Sequence, residues 1–332
     1  MKTAESKKKI FGNKISGKFP KSTEKRTGFG KNQLRKNLFV VGMLSVAMIH
    51  FLVFWLYVNL SSILMAFKNV TLEGTKWGFG NFKIMFDSFA NPASELRGAF
   101  VNTMIFFSIN LLVKLPLTFL CSYFLYKKIK FYKYYRFVFF LPSIISAVVL
   151  TSLLKYMVNP GGPIPKLYEI LCGRESPLFL ADSDYALGVI IFYTIWSGFG
   201  VNIILFQGAM SRIPPEIIEA GKIDGVGMTR ELFQIVMPLV WPTISTVVIL
   251  AFVGLFSSSG EILLFTKGLY DTYTISYWIF EMVQGVKGTV NLEYASTVGI
   301  FFSAIALPIV LLVKRGLEKV TCLLYTSDAA DE

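Results

Sequence analysis

Six runs of apolar residues, separated by polar stretches, set the pattern of this 332-residue chain. They lie at about 38–67, 99–126, 137–158, 185–208, 240–256 and 296–313. A helix of ~20 apolar residues crosses the hydrocarbon of a bilayer. There it must satisfy all its own backbone groups, so each run predicts a transmembrane helix. The fifth run starts among Pro238 and Pro242, which leaves its beginning open. A shorter amphipathic stretch at 275–283 is too short to span and predicts an interfacial or re-entrant segment. No convincing internal repeat is present. The pattern predicts an all-α polytopic membrane protein with six transmembrane helices.

Composition agrees: 54% of residues are hydrophobic and only 16% charged, with mean hydropathy +0.57. A soluble domain of this size carries more charge. The formal net charge of +12 is concentrated in residues 1–36, where twelve lysines and arginines face only Glu5 and Glu24. With no folded module around them, these residues read as a basic cytoplasmic tail (1–37) that sets orientation and meets anionic lipid, not as a nucleic-acid site. The loop after the second run is short and wholly basic (Lys127, Lys128, Lys130, Lys133, Arg136), and so cytoplasmic. The loop after the third run has more acid than base and is external. The last run exits into Lys314, Arg315 and Lys319, so both termini are expected inside, as six spans require.

That parity places the 209–239 loop in the cytoplasm, although its charge alone (Arg212, Lys222, Arg230 against Glu216, Glu219, Asp224, Glu231) does not. A cytoplasmic loop without positive excess suggests one shaped by a protein partner. Ser211 is expected to cap a helix there, with Pro214 and Pro215 in its first turn. Glu216 and Glu219 then lie near the positive end of the dipole. Ile213, Ile217, Ala220 and Asp224 recur at helical spacing, and Gly225 is a natural stop. Two short helices with a glycine turn are predicted, lying across the membrane surface.

The segment Glu219-Ala220-Gly221-Lys222-Ile223-Asp224-Gly225, then nine residues, then Ile235-Val236-Met237-Pro238 resembles the coupling loop of binding-protein-dependent ABC importers. That family's pattern is Glu-Ala-Ala, three residues, Gly, nine residues, Ile, one residue, Leu-Pro. Gly221 and Met237 depart from it, each by a residue of similar kind. Further pieces resemble the carbohydrate-uptake permeases related to the maltose and glycerol-3-phosphate systems. They are Asn102-Thr103, Phe139-Phe140-Leu141-Pro142, Asn159-Pro160, Trp196 and Ile213-Pro214-Pro215-Glu216, within about residues 38–318.

The resemblance implies the type I importer permease fold over 38–318, with a coupling loop at 209–239. It implies a second homologous permease, two cytoplasmic ATPase subunits and an extracellular solute-binding protein. It implies ATPase-coupling roles for Glu216, Glu219, Ala220, Gly221, Asp224, Gly225, Ile235 and Pro238. The substrate class implied is a sugar or oligosaccharide; a non-sugar solute such as glycerol phosphate is the alternative.

Sugar paths use aromatic faces with amide and hydroxyl groups. Tyr193, Trp196, Asn202, Ser257 and Ser258 supply these in spans four and five, and Glu261 follows as an acid. Lys114, in the middle of span two, is costly against lipid and is expected to face the protein interior, a water-filled path or a partner. An ion-coupled secondary transporter is a competing class, but no intramembrane carboxylate pair stands out. Gly12–Lys18 almost spells a phosphate-binding loop, yet Phe19 stands where a hydroxyl should hold Mg²⁺ and no strand precedes it. No ATPase site, triad or other enzyme site is therefore expected in the chain. Cys121, Cys172, Cys322 and the single His50 build no metal site, and no cofactor is expected. Residues 322–332 resemble a translated sequencing adapter, so the native sequence is expected to be cut off near Thr321, with the last eleven residues foreign to it.

Overall fold

The computed structural model describes residues 29–71, 74–257, 260–285 and 290–328. Most of the basic tail, the phosphate-loop-like segment and Ser258 lie outside them. The chain forms two compact units, Met1–Leu60 and Ser61–Glu332. In the first, helix Phe29–His50 runs into a π-helical stretch at Phe51–Tyr57. The helical segment Gln33–Ala66, long and apolar enough to cross a membrane, is span one.

Span two is Glu95–Tyr126, span four Ser183–Met210 and span six Leu292–Val320. The helix of span six continues to Asp328. The two remaining apolar runs lie in bent helix pairs. Span three pairs Tyr132–Ile144 with Ala147–Cys172 across a 104° break. Pro142 lies within its first helix. It supplies no N–H and crowds the preceding turn, and the helix ends two residues later, at Ile144, before Ile145 turns extended. Span five, Trp241–Val253, follows the last helix of the 209–239 loop, Met228–Leu239, across a 74° break at Val240, between the two prolines that blurred its start.

Span two carries a π-helical turn at Asn110–Lys114, directly before Pro116. The extra residue in that turn accommodates a ring without an N–H. The stretch expected to be interfacial or re-entrant is a helix, Ile275–Gln284, capped by Thr274 and burying Ile275, Tyr277, Trp278 and Glu281. It packs against spans two and six. One feature departs from an all-helical reading. Lys68–Thr71 and Gly74–Trp77 pair antiparallel in a two-stranded hairpin, with Lys68 opposite Trp77. Asn81 fixes it to the next helix, donating from Nδ2 to the Lys68 carbonyl at 2.8 Å.

Two of the cores of the second unit position the loop and the path. Phe119, Tyr123, Phe206, Met210, Val240, Ile244 and Val247 join spans two, four and five, and they also enclose Ile213, Ile218, Leu232 and Val236 from the 209–239 loop. A second core gathers Phe106, Leu150, Leu154, Ile190, Tyr193, Ile262, Phe265 and Tyr277.

Candidate functional site

The 209–239 loop is rooted in the first core. Ser211 does not cap the following helix as expected. Its Oγ donates back to the Gln207 carbonyl at 2.7 Å, closing the helix of span four. The loop helix begins at Pro215, where a missing N–H costs little, with Pro214 extended before it. This later start leaves Ile213 outside the helix. Ile218 and Gly221 are its buried positions, with Ile213 buried just ahead of it. Ile217, Ala220 and Asp224 keep their shared face, which is exposed together with Glu216, Glu219 and Lys222, while Ile213, expected with them, is buried outside the helix. Ile223 is 87% exposed.

The helix ends as the glycine predicted. Gly225 has φ +72°. The Val226 N–H reaches the Gly221 carbonyl at 2.9 Å and the Gly225 N–H the Lys222 carbonyl at 3.1 Å. This double closure needs a left-handed residue that glycine adopts without a steric penalty.

The two halves of the motif touch. A Cβ on Gly221 would stand 2.9 Å from Ile235 Cδ1, so the isoleucine occupies the space the missing methyl leaves. Pro238 sits in the last turn before the break at Val240. The second loop helix is tied to span two by a contact that sequence reasoning missed. Lys127 Nζ donates to both Glu231 oxygens at 2.8 and 2.9 Å, and the Tyr123 hydroxyl donates to the Met228 carbonyl at 3.3 Å. No local spacing links residues 127 and 231. The only sequence signal was an acidic residue that the basic loop could match.

Within the membrane, a cavity of ≈ 350 Å³ lies between spans two, four and five, lined by Asn110, Lys114, Thr194, Asn202 and Glu261 among others. Lys114 therefore faces a polar cavity, as its cost against lipid required. Its amine packs over Gly198, where a Cβ would overlap it. A second cavity of ≈ 280 Å³ is lined by Ser143, Tyr193, Ser197 and Glu261, so Glu261 borders both. Tyr193 is 3% exposed, its hydroxyl bonded to the Ala147 carbonyl at 3.4 Å and its ring edge-on to Phe265. Trp196 packs against the second core, and Ser257 is exposed outside both cavities. Of the expected path residues, the structure thus gathers Tyr193, Asn202 and Glu261. Among the described residues, no cluster of three or more His, Cys, Asp or Glu is placed to hold a metal ion.

Known proteins share this architecture. The permease YteP of the polygalacturonan/rhamnogalacturonan transport system of Bacillus subtilis (strain 168) is 25% identical over 338 residues, covering 96% of this chain and 98% of its own. Protein LplB of the same organism is 26% identical over 291 residues, covering 82% and 86%. A solved bacterial ABC transporter involved in import of the acidic polysaccharide alginate has the same fold. Its matching chain superposes with a TM-score of 0.75 at 24% identity, covering 88% of this chain and 99% of its own. A protein-family model matches residues 114–319, from the cavity lysine through the loop to the end of span six. The chain is a multi-pass membrane protein of the type I importer permease fold, and it belongs to the family of binding-protein-dependent transport system inner membrane components.

Proposed function

We propose that this chain is the permease of an ABC importer that passes a sugar or oligosaccharide from an external binding protein to the cytoplasm. A second, homologous permease completes the path, and two separate cytoplasmic ATPase subunits drive it. Both termini lie on the cytoplasmic side of a bacterial cell membrane. The chain carries no catalytic step of its own. The observation that carries this reading is the 215–223 helix. Its buried side (Ile218, Gly221) sits in the core of three spans, and its exposed side presents Glu216, Glu219, Ala220 and Asp224. A helix built this way transmits a push from a partner directly into spans two, four and five. Gly225 sets its end, while Ile235 and Pro238 set the packing and exit of the second helix. The sugar class rests on the relatives, which include a permease named for polygalacturonan and rhamnogalacturonan and one named for multiple sugars, the latter 28% identical over 188 residues.

The test is site-directed crosslinking in the assembled complex. Ala220→Cys on the exposed side should crosslink to an ATPase subunit carrying an engineered cysteine in its permease-facing groove, and Ile218→Cys should not. Equal labelling of both positions, or of neither, contradicts the reading.

A further inference from the structure

The charges along the path of this chain bear on which saccharide it admits. Lys114 lies in the π-helical turn of span two and Glu261 opens the short helix Gly260–Phe265 after span five. Both line the same cavity of ≈ 350 Å³, yet they are not joined in an ion pair. The volume falls within the range of small-molecule sites. π-helical turns recur at functional sites because they aim a side chain that a regular helix would not. Asn110 and Asn202 complete the polar lining. Lys114 offers only donors, Glu261 when ionised only acceptors, and the two amides both. A sugar hydroxyl both donates and accepts, so this set fits a ring bearing several hydroxyls.

The charge balance then separates two classes of sugar. Among the described residues lining this cavity, the formal charges cancel: Lys114 against Glu261. A larger cavity of ≈ 620 Å³ opens where span two begins, on the side that the loop charges assign to the exterior. It is lined by Glu95, Arg97, Asn102, Tyr270, Asp271 and Tyr273 among others, with two acids against one base. Among the described residues, the lining of neither cavity has a positive excess. A path for a polyuronate would gain from cationic walls that raise the local anion concentration, and Glu261 would repel a carboxylate brought to Lys114.

We propose that the saccharide carried by this chain is uncharged, and that Lys114 and Glu261 select it as a split donor–acceptor pair on its hydroxyls. The inference rests on the importer reading above and adds the class of sugar. It separates this chain from the transporter of similar fold whose substrate is the acidic polysaccharide alginate.

The test uses the complete complex in vesicles, with binding protein outside and ATP inside. The probes are two pools: neutral oligosaccharides released from glucan, xylan and galactan, and uronate oligosaccharides released from polygalacturonan and alginate. Mass spectrometry of the vesicle contents reads what enters. Neutral species should accumulate with ATP and uronates should not. Glu261→Gln and Lys114→Met should each lower neutral uptake about tenfold or more, the scale of losing a hydrogen bond to a charged group. Complex yield should stay near wild type, and Lys114→Arg should retain most uptake. ATP-dependent entry of uronates, or wild-type neutral uptake in both variants, overturns the inference. If neither pool enters while ATP is hydrolysed, the saccharide reading itself fails, and this inference with it.

Discussion

Removing the Glu231 carboxylate should loosen the joint between the cytoplasmic loop and span two by a measurable amount. Lys127 Nζ sits 2.8 Å from Glu231 Oε1, and the side chains are 21% and 6% exposed. Breaking a buried pair by deleting one partner costs ~3–5 kcal/mol, because the other charge is left desolvated. In Glu231→Ala the survivor is Lys127, which keeps a fifth of its surface in water and can turn outward. The cost should therefore fall below that range, at about 2 kcal/mol. In Lys127→Met the survivor is the nearly enclosed Glu231 carboxylate, and about 3–4 kcal/mol is expected. Lys127→Met combined with Glu231→Met removes both charges and should return to within about 1 kcal/mol of wild type, since apolar replacement of a buried pair is often neutral. The assay is urea unfolding of the purified permease in micelles, followed by tryptophan fluorescence, run as a double-mutant cycle. Single-variant costs below about 0.5 kcal/mol, or costs that simply add in the double variant, refute a coupled buried pair.

Gly225→Val forces a β-branched residue into φ +72° and should cost about 1–2 kcal/mol, with ATP-driven uptake falling more than complex yield. Gly221→Ala crowds Ile235 Cδ1 and should cost under about 1 kcal/mol, and Ile235→Val alongside it should recover that loss in a thermal-shift measurement. Glu219→Lys reverses a charge on the exposed side of the loop helix. It should release the ATPase subunits on co-purification while the two permeases stay together. Deleting residues 2–30 leaves Lys31, Arg35 and Lys36 to hold orientation, so ATP-dependent uptake should persist in correctly inserted protein.

Hydrophobic runs revealed the spans because a bilayer demands long, uninterrupted apolar helices, and a 3.6-residue period needs no knowledge of neighbours. Breaks were harder to see. Pro142 was visible, but proline inside a membrane helix is tolerated, so the 104° turn after Ile144 depends on tertiary packing as well. The 68–77 hairpin escaped notice because two four-residue strands carry too little alternation to stand out. In the loop, Gly225 was legible because a left-handed stop is a local backbone need. The buried face was not. Ser211 is taken by the preceding helix, so the start moves to Pro215 and Ile213 falls outside it, while Ile218 is buried by packing against spans two, four and five. The cavity was half legible. The energetic cost of Lys114 in lipid pointed inward, but its meeting with Glu261, 147 positions on in the chain, is set by how spans two and five pack.

Uptake into vesicles tests most directly whether a separate ATPase moves this permease. Vesicles holding this chain, its partner permease and the ATPase subunits should accumulate labelled oligosaccharide only with ATP inside and binding protein outside. Glu219→Lys should abolish that accumulation without altering how much of this chain inserts. Uptake driven by a proton or sodium gradient in vesicles holding this chain alone, indifferent to ATP, contradicts the account.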